Sequence, residues 1–313
     1  PSEQGYEASI QETVSRNREA QLAAFFSQTA SEQSGGSIYW EARTLDSSGE
    51  LLNEFRDHLT EWSEISRNTL ALVLNAGEGL LLGEFLRRIS EENVYALVES
   101  SNEKKILGTL FKKTTSGIEA KIAVDSSGCP ASFEIADLRF ERIVGRNVLQ
   151  KHADKSGFLE TLKPWISADG FFVFGETVPA LGQRLSDLIP EELLEPDFRK
   201  KLKAAEKEIY LDEENVRSSW TPSTLRDELK GANWNIIRWQ VKEYCIPTMI
   251  RTEQIEQWFP SHQDSPHSSY GQRLSAYFSP EQLNNLRETF RNEVAGTVVE
   301  WHSVSLFMQL NQK

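Results

Sequence analysis

Residues 69–79, with the sequence TLALVLNAGEG, decide the fold of this chain. The first six residues form a continuous run dominated by apolar side chains, and two glycines, Gly77 and Gly79, follow directly after it. A short apolar run that stops at a glycine turn is typical of a strand buried on both faces of a sheet. Residues 80–89 then carry apolar side chains at helical spacing. The stretch therefore predicts a strand, a tight turn and a helix.

Similar strand-like segments follow along the chain, and helical patterns lie between them. The segments are 94–98 (VYALV), 118–124, 140–146 (FERIVGR) and 171–174 (FFVF). Strands that alternate with helices predict repeated βα units, and their crossovers require a parallel sheet covered on both faces. We therefore expect a doubly wound α/β core that spans roughly residues 69–176.

The last third of the chain has a different pattern. Residues 234–244 alternate polar and apolar side chains, and residues 298–310 form a last strand-like segment after several helical stretches. Two late strands separated by helices predict an antiparallel edge on the parallel sheet. The expected fold is α/β and Rossmann-like: a doubly wound, mostly parallel seven-stranded sheet with an antiparallel C-terminal edge, helices on both faces and extra N-terminal helices.

We expect three parts along the chain. Residues 1–36 are a polar, partly helical lead-in, and residues 37–190 are the α/β core. Residues 191–313 add a helical insertion and the two antiparallel strands that complete the same domain. Because the sequence starts at Pro1, we expect this start to be a boundary within a longer protein or a processing site.

Composition narrows the classes of function. The chain has 313 residues with 34 basic and 47 acidic side chains, a net charge of −13. This charge repels phosphate backbones, so no direct nucleic-acid binding is expected. The apolar runs are far shorter than a membrane span. Two cysteines, Cys129 and Cys245, cannot build a disulfide framework, which favours a reduced, cytoplasmic location.

The candidate ligand site lies where the parallel strands end. In open α/β sheets, ligands bind outside the carboxyl ends of the strands, at the point where the strand order reverses. Glycines after the first strand let the backbone approach a ligand, and an acid after the second strand can accept hydrogen bonds from a ribose. The ligand-binding candidates at these strand ends are Asn75, Ala76, Gly77, Glu78, Gly79, Glu99, Asp125, Arg146 and Asn147.

This arrangement resembles the class I S-adenosylmethionine-dependent methyltransferases from about residue 50 onward. The resemblance implies that S-adenosylmethionine or S-adenosylhomocysteine binds over Gly77 and Gly79, with its ribose on Glu99 and its adenine near Asp125. The end of the fourth strand, at Arg146 and Asn147, would face the methyl donor. The resemblance thus implies methyl transfer to an unassigned acceptor, and no catalytic residue is assigned.

Two positions depart from the pattern of that family. Asn75 stands where the family usually carries an acid, and Leu81 stands where it usually carries a third glycine. Loss of a carboxylate weakens the binding of a cationic donor, by about 1–3 kcal/mol if nothing replaces it. The first alternative is therefore a catalytically inactive interaction module with the methyltransferase fold.

The second alternative is a nicotinamide-dependent oxidoreductase, because Gly77, Gly79 and Gly83 fit a GxGxxxG spacing and Glu99 would suit a ribose there too. Three side chains of one loop could supply metal ligands, but flexible loops often hold such residues without a metal, and we assign no metal. These three are His262, Asp264 and His267.

A second resemblance rests on short phrases. They are REAQLAA at 18–24, VLNA at 73–76, GLLL at 79–82, RIVGRN at 142–147 and QRL at 183–185. These phrases resemble the C-terminal extension of cyanobacterial RarA-type AAA+ ATPases, which are replication-associated recombination factors. The resemblance implies an ATPase upstream in the same protein, which would supply ATP hydrolysis and DNA contact in replication and recombination.

Overall fold

The computed structural model describes residues 49–112, 121–128, 130–133, 138–212, 214–260 and 269–312. The sequence predictions for residues 1–48 and for Cys129, His262, Asp264 and His267 lie outside these ranges. The extra N-terminal helix within the described part is α1, Gly49–Trp62, which precedes the first strand as expected.

Seven strands form one sheet in the order β3-β2-β1-β4-β5-β7-β6. The strands are β1 Ala71–Leu74, β2 Val94–Val98, β3 Ile122–Val124, β4 Phe140–Arg146, β5 Ile166–Thr177, β6 Trp234–Met249 and β7 Val298–Gln312. Strands β1 to β5 run parallel, and β7 pairs antiparallel with both β5 and β6. This sheet confirms the predicted fold class and has the strand order of the class I methyltransferase fold.

Helices connect the strands, and the described ones follow the expected βα alternation. Beyond α1 they are α2 Leu80–Arg88, α3 Ser101–Lys112, α4 Lys155–Leu162, α5 Pro196–Leu211, α6 Pro222–Gly231, α7 Thr252–Trp258, α8 Tyr270–Leu274 and α9 Pro280–Thr289. None of the helices in the described ranges is long and apolar enough to cross a membrane.

The sheet has an apolar layer on each face. Every residue of β1 is buried, and its side chains alternate between two hydrophobic clusters, with Val73 in one and Leu72 in the other. Val144 and Ile143 of β4 divide in the same way. A strand that is buried on both faces requires helices on both sides, which explains the continuous apolar runs in the sequence.

Several boundaries differ from the sequence predictions. Residues 178–188 have a helical pattern in the sequence, which predicts one helix, but they form two 3-10 turns, Pro179–Leu181 and Leu185–Leu188, with Gly182 in extended conformation between them. The next helical pattern in the sequence covers residues 191–209, but helix α5 begins at Pro196, because proline fits the first helical position. Strand β5 does not end at residue 174, since Glu176 and Thr177 continue its pairing with β7.

Candidate functional site

The chain order around the sheet reverses between β1 and β4, which are hydrogen-bonded neighbours. The turn after β1 is tight: Asn75 has φ 51° and Gly79 has φ 73°, and both lie in the left-handed region. Asparagine and glycine are the residues that adopt this conformation most readily. The turn between them, Ala76–Glu78, therefore directs the chain from β1 into α2 at the carboxyl edge of the sheet.

Asn75 connects the ends of β1 and β4. Its side-chain nitrogen donates a hydrogen bond to the backbone oxygen of Arg146, at 2.8 Å. Its side-chain oxygen accepts one from the Nζ of Lys151, at 2.7 Å. The amide therefore uses its donor and its acceptor within the chain, which a carboxylate at this position could not do.

Lys151 also reaches the end of β2. It is the last residue of a 3-10 turn, Leu149–Lys151, and its ammonium forms an ion pair with the Glu99 carboxylate. The side chains are 23% and 43% exposed, respectively. Lys151 therefore extends over the carboxyl ends of β1 and β2, across the place where the sequence predicts a nucleoside.

The carboxylate of Glu103 occupies the space beside Gly77. A Cβ added at Gly77 would lie only 2.7 Å from the carboxyl carbon of Glu103. Glu103 also accepts a hydrogen bond from the backbone N–H of Glu99, at 2.9 Å. Burial raises the pKa of Glu103, with the nearby charge of Glu99 acting in the same direction. The absent side chain at Gly77 therefore makes room for a protein carboxylate.

Arg146 and Glu78 form a second ion pair in the cleft. The Arg146 guanidinium donates to Glu78 at 2.6 Å and lies 5.0 Å from the ring centre of Phe55 on α1. Its side chain is only 9% exposed. The cleft beside this pair has an empty volume of about 340 Å³, open solvent included. Its lining includes Leu52, Arg56, Leu59, Leu74, Leu80 and Leu81.

The end of β5 holds the segment that carries Lys151. Asn147 has φ 54°, donates its N–H to the oxygen of Gly175 at 2.8 Å, and accepts from the N–H of Thr177 at 2.8 Å. Next to it, the carboxylate of Glu176 accepts the backbone N–H groups of three consecutive residues. These are Val148 at 2.8 Å, Leu149 at 2.9 Å and Gln150 at 3.2 Å.

Glu176 is completely buried, and this burial raises the pKa of its carboxyl to about 7. The three N–H groups and the nearby ammonium of Lys155 act in the opposite direction, because they stabilise the charged form. Burial is the larger effect, so this carboxyl titrates near neutral pH.

Four of the predicted residues form one polar cluster. Lys151 joins Asn75 to Glu99, Asn75 donates to the backbone oxygen of Arg146, and Glu78 pairs with the Arg146 guanidinium. The side chain of Asp125 instead accepts hydrogen bonds from the N–H and the hydroxyl of Ser127, in the turn directly after β3. These two side-chain contacts stabilise the loop after β3, while the backbone N–H of Asp125 donates to the oxygen of Val98 in β2 at 2.8 Å.

Sequence reasoning missed Lys151, Glu103 and Glu176. Glu176 had a signal, since it is an acid that directly follows the apolar run FFVFG. A buried acid at the end of a parallel strand requires donors, and these come from the loop after β4. Lys151 and Glu103 lie in segments without a pattern that marks them. Among the described residues, no group of three His, Cys, Asp or Glu side chains could hold a metal ion.

In the arrangement described, four of the polar residues predicted to bind S-adenosylmethionine are paired with one another or with Lys151. The donor is a cation whose ribose would need the Glu99 carboxylate, yet Glu99 is paired with the Lys151 ammonium. Two unit charges of the same sign repel by about 1 kcal/mol at 4 Å in water and by about 4 kcal/mol near a protein surface. The cleft therefore has the strand ends and the tight turn of a nucleoside site, but the polar groups there are paired with side chains of the protein itself.

The chain is similar to several solved structures at low sequence identity. No protein-family model and no curated protein matches the sequence. Among solved structures, a protein of Bacillus halodurans assigned as a methyltransferase has a TM-score of 0.48 at 13% identity, covering 82% of this chain and 98% of its own. A methyltransferase of Geobacter sulfurreducens in complex with S-adenosylhomocysteine has a TM-score of 0.44 at 11% identity, covering 83% and 91%.

The [4+2]-cyclase SpnF is also similar, with a TM-score of 0.44 at 11% identity, covering 83% of this chain and 81% of its own. At this level of likeness no activity follows from any neighbour. The assignment to the class I methyltransferase fold rests on the strand order and on the antiparallel position of β7.

Proposed function

We propose that this chain is a class I methyltransferase-fold domain that acts as an interaction module and does not transfer a methyl group. The observation that carries the proposal is the position of Lys151, whose ammonium joins Asn75 to Glu99 across the cleft. A cationic methyl donor would have to displace a cation that is already paired with the acid it needs.

Two further contacts support this proposal. The Glu103 carboxylate fills the space that Gly77 leaves, and Arg146 is paired with Glu78 beside the turn. Both contacts pair polar groups of the cleft with other groups of the same chain.

As its partner we propose an AAA+ ATPase, located upstream in the same protein and in the cytoplasm. The short phrases quoted above, such as RIVGRN at 142–147, are the basis for this part of the proposal. The net charge of −13 suits a companion domain that leaves DNA contact to the ATPase. Co-purification of this chain with the separately expressed ATPase region tests the partner.

Isothermal titration with S-adenosylmethionine and S-adenosylhomocysteine tests the loss of donor binding. We expect no saturable heat at about 1 mM ligand, where a donor-binding enzyme with a Kd of about 10 µM would be fully occupied. Saturable binding to the unmodified chain, weakened at least tenfold by Glu99→Ala, would refute the proposal.

Methyl transfer is the second candidate, and the exposure of the Lys151–Glu99 pair favours it. An ion pair between partly exposed side chains contributes only about 0–1 kcal/mol, so a ligand could displace Lys151 at small cost. Titration of the Lys151→Ala variant separates the candidates. If Lys151→Ala and the unmodified chain bind S-adenosylhomocysteine equally well, Lys151 does not close the site and methyl transfer becomes the better interpretation.

A further inference from the structure

We infer that Glu176, at the end of β5, is the positioning residue that holds Lys151 across the cleft. The inference uses the proposed function in one respect only, namely that Lys151 closes the cleft. It adds that closure is set from the interior, by a carboxylate that touches neither Asn75 nor Glu99 in any described contact.

Three hydrogen bonds join the Glu176 carboxylate to one short segment. Glu176 accepts three consecutive N–H groups, from Val148 to Gln150, and the next residue is Lys151. The backbone N–H of Lys151 donates to the oxygen of Val148, at 3.3 Å. Because the acceptor is one rigidly buried group, the whole turn has a single position relative to β5.

The two neighbours of Glu176 in β5 also bind this segment. Asn147 exchanges two hydrogen bonds with the Gly175–Thr177 stretch, its N–H to Gly175 and its side-chain oxygen from Thr177. The segment therefore leaves β4 in a fixed direction. From this segment, the Lys151 side chain extends to Asn75 and Glu99.

A neighbouring helix places a charge close to Glu176. Among the described residues, this charge is the ammonium of Lys155 on α4, which donates to the backbone oxygen of His152 at 3.0 Å. The carboxylate of Glu228 on α6 acts on Lys155 in turn, by raising its pKa. His152 stacks on Phe158, with 3.7 Å between the ring centres, and burial lowers its pKa. His152 therefore stays largely neutral above pH 6.5, its ordinary pKa. Glu176 is thus the group of this cluster that changes charge near neutrality.

Selective acetylation of lysines, followed by peptide mass spectrometry, tests the inference without any methyl donor. The measured quantity, the Lys151 ratio, is the acetylation rate of Lys151 divided by that of Lys163. Lys163 lies in a separate turn between α4 and β5. A firmly paired ammonium reacts slowly. In Glu176→Gln we expect this ratio to rise by about threefold or more at pH 8, since the neutral amide cannot accept all three N–H groups.

The control is Glu206→Gln. Glu206 is also buried and accepts hydrogen bonds, from Ser186 and Tyr270, but it lies between α5 and α8, in another part of the core. In this variant we expect the Lys151 ratio to stay at the wild-type value. A rise equal to that of Glu176→Gln would assign the effect to general loosening and would overturn the inference.

A pH series on the unmodified chain covers the case in which Glu176→Gln fails to fold. For a carboxyl with a pKa of about 7, the protonated share rises from about a tenth at pH 8 to about nine tenths at pH 6. We expect the Lys151 ratio to rise by about threefold over this range. A ratio that is constant with pH would overturn the inference, as would an unchanged ratio in folded Glu176→Gln. Neither result depends on whether S-adenosylmethionine binds.

Discussion

The Nζ of Lys151 lies 2.7 Å from the side-chain oxygen of Asn75, so the loop after β4 is tied directly to the end of β1. The same ammonium pairs with Glu99 at the end of β2. One side chain thus joins three strand ends at the place where doubly wound sheets bind ligands. The polar groups that would receive a nucleoside are instead used by the protein.

The Lys151–Glu99 pair should contribute little to stability, because both side chains are partly exposed. We expect Lys151→Ala and Glu99→Ala each to lower the free energy of unfolding by about 1 kcal/mol or less. A double-mutant cycle measured by urea denaturation gives the coupling between them. The more exposed pair Lys203–Asp187 serves as the control and should show weaker coupling. Coupling above about 2 kcal/mol would contradict the description of the pair as weak.

Glu176 should make stability depend on pH with a defined sign. Its pKa in the folded chain is raised from 4.5 to about 7, so the folded state binds more protons than the unfolded state between these values. The free energy of unfolding should therefore fall as pH rises from 4.5 to about 7, by about 3 kcal/mol, and this contribution is fully present only below pH 4.5.

Urea denaturation at several pH values measures this dependence. In Glu176→Gln the corresponding fall in stability should be absent, since the amide does not titrate. Other acids titrate in both proteins, so the informative quantity is the difference between them. If the variant and the unmodified chain show the same pH dependence, the elevated pKa of Glu176 is wrong.

Gly145 should not tolerate a side chain. A Cβ there would collide with the Val148 side chain and lie 3.2 Å from the Cβ of Leu74 and 3.3 Å from its backbone oxygen. Overpacking of this kind costs about 1–3 kcal/mol, so Gly145→Ala should lower the urea midpoint. Gly231→Ala is the matched control, because nothing lies within 4 Å of the added Cβ. Equal effects of the two substitutions would rule out the predicted collision.

Gly77 and Glu103 should be energetically coupled. Gly77→Ala places a methyl group against the Glu103 carboxyl, and we expect a loss of about 1 kcal/mol. The collision involves the far end of a flexible side chain, so combining Gly77→Ala with Glu103→Ala should recover that loss. The double-mutant cycle measures the recovery. Strictly additive effects would show that Glu103 does not fill the space beside Gly77.

Much of the fold follows from the sequence because its signals are local. The run TLALVL predicts a doubly buried strand from adjacent residues alone, and the first late strand is predicted from the local alternation of polar and apolar residues at 234–244. Where a boundary depended on a distant partner, the prediction failed. Strand β5 continues to Thr177 because β7, more than 100 residues later in the chain, extends its ladder.

The residues at the strand ends were predictable, since parallel strands bring their carboxyl ends to one edge. Asn75, Glu99 and Arg146 accordingly lie together. Their partners were not predictable. Lys151 is 52 residues from Glu99 and 76 residues from Asn75, and it lies in a segment with no marked pattern.

The amino-acid sequence by itself determined the alternation of strands and helices and the tight turn at residues 75–79, because hydrophobic periodicity and glycine conformation act over a few neighbouring residues. Only the tertiary structure decided what occupies the cleft. Ion pairing depends on distance in space, and packing of the 147–151 segment against Glu176 places the Lys151 ammonium beside Glu99.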